Sequence, residues 1–311
     1  MPNWKDVLDE ISQRRFGAGM AAQSAADIIR QKYLQQLHAK TQRNIIAYYS
    51  GWLSKPGIAQ QELNDEDKNG FMMAVHKLDK KKGLDLFLHT PGGSIAATES
   101  IVNYLHKMFG ADIRAIVPQI AMSAGTMMAC SCKAILMSEH SNLGPIDPHL
   151  NGVPAYGVIE EFRRAFREIK KDATKVHVWE QIIRQYRPTF LGQCQNAIIW
   201  SKQFVEDHLK NVMFKGDPKA TAKARAVTQS LLNFRKNKAH NRHIHMEECK
   251  KIGLKVERIE DDPELQDLIL TVHHCYMHSM MNTQAFKIIE NQNGVAFVKQ
   301  QALIPYQQPQ Q

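Results

Sequence analysis

The chain has 311 residues, 43% apolar and 23% charged, which is enough to bury a sizeable core and too apolar for a disordered polymer. Its 40 Lys and Arg against 31 Asp and Glu give a formal charge of +9, but the basic residues are scattered, which argues against a nucleic-acid partner. No apolar run approaches the roughly 18 residues that span a bilayer, and Cys130, Cys132, Cys194, Cys249 and Cys275 are odd in number and widely spaced, so a cytoplasmic protein with reduced thiols and no membrane partner is expected.

Residues Met1 to Val7 lack the apolar core of a secretory leader. Residues 1–40 predict a helical N-terminal arm for docking or oligomerisation, because Trp4, Val7, Leu8 and Ile11 recur at helical spacing and Ala26 to Arg30 continues a second amphipathic stretch. Asn44 to Tyr49 is β-rich and reads as the first core strand. Asn64-Asp65-Glu66-Asp67 opens an apolar-periodic run (Phe71, Met72, Val75, Leu78), a helix with an acidic start, and Lys77 with Lys80-Lys81-Lys82 reads as its solvated end.

From there the order is strand 84–89, helix 95–109, strand 112–117, helix 124–131 and strand 134–138. Such alternation implies parallel pairing through right-handed crossovers. Residues 156–236 form a helical insertion, 246–256 a helix and turn, 263–290 a helical extension, and Tyr306 onward a disordered tail. The expected organisation is a helical arm over 1–40, an α/β core over 41–256 that carries the helical insertion, and a helical C-terminal extension over 257–311.

Two motifs carry chemistry. His89-Thr90-Pro91-Gly92-Gly93-Ser94 follows the strand Leu84 to Leu88, and glycines there let backbone N–H groups point at a ligand. Ala121-Met122-Ser123-Ala124-Gly125 puts a serine between the strand Arg114 to Pro118 and a helix. A serine at such an elbow exposes its hydroxyl and aims the following N–H at a developing oxyanion. Ala121 stands where the usual elbow pattern has its first glycine, and taken alone Ser123 reads equally as a helix N-cap. In an α/β sheet both motifs fall at the carboxyl ends of strands, where ligands bind.

The pair resembles the Clp protease and crotonase superfamily, and the match continues into Ser141 to Pro148. With Ala47 to Trp52, Ile116 to Gly125, Thr271 to His274 and Phe286 to Asn291, the chain most resembles the serine dehydrogenase proteinase family, related to signal peptide peptidase A. The resemblance implies an α/β superhelix of βαβ units with helical N- and C-terminal extensions, a homo-oligomer, and a serine endopeptidase without cofactor acting on a protein or peptide substrate. Ser123 would be the nucleophile, with Gly93 and Ala124 as oxyanion donors and Gly92 shaping the turn.

For the base, the Clp branch would place its histidine at Ile146 and its acid near Asn237, and the signal peptide peptidase branch a lysine within Ala155 to Val158; this sequence has none of the three. His149 is therefore the first candidate base, with Asp147 as orienter or alternative base, then His240 and His243. A plain reading makes Gly144 to Pro148 a rigid turn in which Asp147 holds backbone amides. Lys133 is expected to face away. No metal site is expected from Cys130-x-Cys132, from His240, His243 and His245, or from His273, His274 and His278, which read as structural or surface residues. A crotonase-like acyl-CoA enzyme and an inactive scaffold of the same fold are the alternative functions.

Overall fold

The computed structural model describes residues 4–17, 19, 21–150, 152–233 and 239–301. Strands apolar on both faces belong inside a sheet covered on both sides. β1 (Asn44–Ser50), β2 (Leu84–His89), β3 (Ile113–Val117) and β5 (Ala134–Met137) are such strands, and β4 (Ile120–Ala121) starts a short side sheet. With β10 (Val256–Arg258), β11 (Ala285–Asn291) and β12 (Ala296–Gln300) they build a seven-stranded sheet in the order β10-β5-β3-β2-β1-β11-β12, parallel up to β1 and antiparallel beyond it. The side sheet joins β4 to β6 (Asn142–Leu143) and β9 (Ile244–His245), while β7 (His149–Leu150) pairs with β8 (Val153–Pro154).

Strand side chains alternate between two cores, as a period of two requires. Ile46, Tyr48, Leu86, Leu88, Ala115 and Val117 enter one; Ile45, Ala47, Tyr49, Phe87 and Ile116 enter the other. The first core is closed by α3 (Asp67–Val75), α4 (Ile95–Phe109), α5 (Ala124–Cys130), α8 (Phe190–His208), α9 (Ala220–Leu232) and α10 (Met246–Ile252). The second is closed by α1 (Trp4–Gly17), α2 (Ala22–Thr41) and α11 (Pro263–Asn282), so the N-terminal arm docks on its own chain. Between β8 and α8, α6 (Ala155–Lys171) and α7 (Val176–Ile183) lead outward, α6 sharing a small core of Ala155, Val158, Ile159 and Cys194 with α8.

The expected strands and helices from 84 to 138 form with ends shifted by at most one residue. Two expectations are corrected. The helix read from 263 to 290 stops at Asn282, and Ala285–Asn291 is a fully buried strand antiparallel to β1. Lys287 and Glu290 interrupt its apolar letters and disguise the β pattern. Likewise α3 ends at Val75, and Lys80–Lys82 form a separate exposed turn capped by the Asp79 carboxylate. The tail from Tyr306 onward and Asn237 lie outside the described residues. All five cysteines are buried free thiols.

The two charges of β11 point to opposite faces. Lys287 Nζ lies 2.9 Å from Asp67 Oδ1 with both side chains fully buried, and it donates to the Glu62 carbonyl at 2.8 Å. Asp67 Oδ2 also accepts the Tyr48 hydroxyl and the Asn64 N–H, each at 3.0 Å. On the other face Glu290 accepts from Arg30 Nε at 2.8 Å and from the Tyr276 hydroxyl at 2.9 Å. Because Lys287→Met strands a buried carboxylate, it is expected to cost about 3–5 kcal/mol, read as a lower urea midpoint. Asp67→Leu combined with Lys287→Met should recover more than half of that loss; a double variant whose losses simply add would show that the pair is not its source.

Candidate active site

The two motifs are joined through their backbones. Just beyond β2, Thr90 bridges Ala121: the Thr90 N–H donates to Ile120 O at 3.3 Å and the Met122 N–H to Thr90 O at 3.0 Å. The Thr90 hydroxyl accepts the Gly92 N–H at 3.1 Å and so sets the turn. On its far side the turn is held by Leu63, whose N–H donates to Gly92 O at 2.7 Å and whose carbonyl accepts the Ser94 N–H at 2.9 Å. This parallel bridge uses the groups flanking Gly93, so the N–H of Gly93 itself faces away from Leu63.

Both glycines are required here. Gly92 has φ 97° and Gly93 φ 153°, conformations that other residues rarely adopt. A Cβ on Gly92 would sit 2.7 Å from Ser123 Cβ, and one on Gly93 would sit 2.3 Å from Leu63 O. Ser94 then caps α4, its hydroxyl accepting the Ala97 N–H at 3.3 Å.

Ser123 opens α5 at φ 49° and ψ −112°, a strained conformation for a side-chain-bearing residue that costs on the order of 1–3 kcal/mol. Its half-buried side chain makes no capping hydrogen bond, so the reading as a helix cap is not met. The Thr126 hydroxyl anchors the elbow instead, lying 2.9 Å from the carbonyls of Ala121 and Gly144 and accepting the Gly144 N–H at 3.0 Å. The position a Gly92 Cβ would take is 3.0 Å from the Ala124 nitrogen, so the turn lies directly against the elbow. Among the described residues, the N–H groups of Gly93 and Ala124 donate to no carbonyl.

Beyond β6 the chain passes Gly144 and reaches the candidate bases. Ile146 is a core residue whose N–H donates to Leu231 O at 3.3 Å and whose carbonyl accepts the Ser201 hydroxyl at 2.8 Å. Asp147, 2% exposed, bonds two histidines rather than the backbone amides of a turn: Oδ2 lies 3.2 Å from His149 Nε2 and Oδ1 3.0 Å from His240 Nδ1. The two imidazole rings are 4.0 Å apart. Burial pushes the Asp147 carboxyl up, but hydrogen bonds and charge from both histidines outweigh it and hold the group below its usual range. A carboxylate so held suits the orienting role better than that of a base.

The remaining candidates lie elsewhere. His243 lines a cavity of about 640 Å³ beside Met122, with Trp52, Gln119 and His273. Lys133 pairs with Asp112 just ahead of β3, at the opposite end of the sheet. His274 and His278 share one face of α11 and hold Trp4, at ring distances of 5.5 and 4.2 Å, while the Tyr49 hydroxyl lies 3.2 Å from His273 Nδ1.

His89, visible in the sequence only as the first letter of its motif, is the floor of the turn. It is fully buried between Tyr49 and Trp52, with Nδ1 3.1 Å from Ser50 O and Nε2 3.0 Å from the Gln119 amide. Burial pushes its pKa down to about 4, and the hydrogen bonds oppose this only in part.

The sequence pattern of the ClpP-like SDH-type serine proteinase family matches residues 20–293. Two curated relatives are uncharacterized proteins of Methanocaldococcus jannaschii. One is 32% identical over 192 residues, covering 62% of this chain and 59% of the relative; the other is 27% identical over 191 residues, covering 61% and 58%. The chain thus spans under two thirds of the length of the curated relatives it matches. No helix among the described residues is long and apolar enough to cross a membrane.

Between the ordinary histidine pKa of 6.5 and about 4, unfolded His89 is protonated while the folded residue stays neutral. The unfolded state binds more protons in that window, so this part of the stability is complete above pH 6.5 and lost as pH falls toward 4. The loss is on the order of 3 kcal/mol. Denaturant titrations of His89→Gln should show a flatter acid limb than wild type; identical limbs would remove His89 from the account.

Proposed function

The chain belongs to the ClpP-like SDH-type serine proteinase family, and on that premise we propose that it is a serine peptidase with Ser123 as nucleophile. The Ser123 Oγ attacks the carbonyl carbon of a protein or peptide substrate while His149 takes the hydroxyl proton. The oxygen that becomes negative is held by the N–H groups of Gly93 and Ala124. Collapse breaks the C–N bond, the proton passes from His149 to the leaving amine, and water then releases the acyl group by the same steps in reverse. The proposal includes a homo-oligomer working in the cytoplasm without a cofactor.

The observation that carries this reading is the backbone bridge from Thr90 to Ala121. It lays the Pro-Gly-Gly turn against an uncapped serine in a strained elbow, which a merely structural turn does not need. The base assignment draws on Asp147. With His149 Nε2 bonded to that carboxylate, Nδ1 is the nitrogen left to accept a proton.

A fluorophosphonate probe should label the wild-type protein and fail to label Ser123→Ala. Labelling of His149→Gln should be slower by roughly 10²- to 10⁴-fold. Equal labelling of wild type and Ser123→Ala would remove Ser123 as nucleophile, and unchanged labelling of His149→Gln would place the base elsewhere.

A further inference from the structure

A base needs one carboxylate to orient it, yet Asp147 holds two imidazoles. The second, His240, has no role in the peptide-cleaving steps. It comes from a loop 93 residues further along the chain and reaches the oxygen of Asp147 that His149 leaves free. We propose that Asp147, His149 and His240 form a binding site for a divalent transition metal of the zinc type, and that the bound ion silences the peptidase by occupying its base. The silencing rests on His149 being that base, whereas the site itself does not.

Geometry supports the site. One donor atom from each residue lies within 4.8 Å of the other two. Metal–ligand bonds of about 2.0–2.1 Å at tetrahedral angles separate donors by roughly 3.3 Å. The contacts of 3.2 and 3.0 Å run to the two different oxygens of Asp147, so the carboxylate either binds an ion through both oxygens or one imidazole shifts toward the shared oxygen as the site closes.

Chemistry then selects the ion. Two imidazoles and one carboxylate suit zinc, cobalt or iron, whereas calcium and magnesium prefer an all-oxygen shell. No cysteine competes, because all five thiols are buried and burial pushes each toward the protonated form. Asp147 closes the inner side at 2% exposed, and the imidazoles at 26% and 27% leave an outer side open to solvent. An ion can enter there and keep water as its fourth ligand.

The silencing follows from the histidine tautomer. In a neutral ring, an Nε2–H directed at Asp147 leaves Nδ1 as the acceptor. A metal on Nε2 moves the ring proton to Nδ1, where it blocks acceptance of the serine proton. No covalent chemistry is involved, and removing the ion restores the base.

The test uses the intact chain, stripped with a chelator and titrated with Co²⁺, then with Zn²⁺. Wild type should bind one Co²⁺ with the visible absorption of a four- or five-coordinate ion, and His240→Gln and Asp147→Asn should each weaken binding at least about tenfold. Failure of wild type to bind at roughly 100 µM metal, or equal binding by both variants, would overturn the site. In the second arm, the lowest Zn²⁺ concentration that slows fluorophosphonate labelling of wild type about tenfold should slow that of His240→Gln by no more than about twofold. Metal bound with no change in labelling would overturn the silencing. A metal-free protein that is never labelled would instead fail the serine reading, while the Co²⁺ titration still decides the site.

Discussion

The buried pair between Lys287 and Asp67 does more than join a strand to a helix. Removing two charges from water is costly, and only close contact with further hydrogen bonds offsets it. Here those further bonds run to the Glu62 carbonyl and the Asn64 N–H, which flank Leu63 on both sides. Leu63 in turn grips the backbone at Gly92 and Ser94. The position of the Gly93 N–H is therefore steadied by an ion pair whose lysine comes from the C-terminal part of the chain and whose carboxylate comes from α3. Tyr48 adds its hydroxyl to the same carboxylate, so the first strand of the sheet is tied into this support as well.

Two kinds of constraint shape the meeting of turn and elbow. Steric exclusion acts on the glycine side: a methyl group at Gly92 would meet Ser123, one at Gly93 would meet Leu63, and one at Gly125 would meet Thr90 at 2.5 Å. On the serine side a strained backbone is held by its surroundings, namely the Thr126 hydroxyl, the β4–β6 pairing and the bridge to Thr90. Such strain persists only where neighbours over-determine the conformation.

Much of this architecture was legible in the letters. Strands and helices alternate from Leu84 to Met137 with strong local patterns, and the glycines and serine stand at strand ends, so the fold and the meeting of turn and elbow could both be read. What escaped depended on pairings distant in sequence. Lys287 and Glu290 look like surface charges until Asp67 and Arg30 are seen opposite them. His240 stands among the candidate bases in the sequence, but nothing in Ala239 to His245 ties it to Asp147. Leu63 carried no signal at all, since its contribution is made by its backbone. The uncapped state of Ser123 is a matter of dihedral angles, which composition does not report.

The placement of β11 also has a consequence for synthesis. The turn and the elbow lie between residues 89 and 125, whereas the lysine that steadies them is residue 287. A ribosome makes roughly 5–20 residues each second, so Ser123 leaves the exit tunnel many seconds before the lysine that steadies the turn has been made. During that interval the glycine turn lacks its outer support and Asp67 lacks its cation. The order of the chain thus delays completion of this support until residue 287 has been made, a timing written into the topology of the sheet.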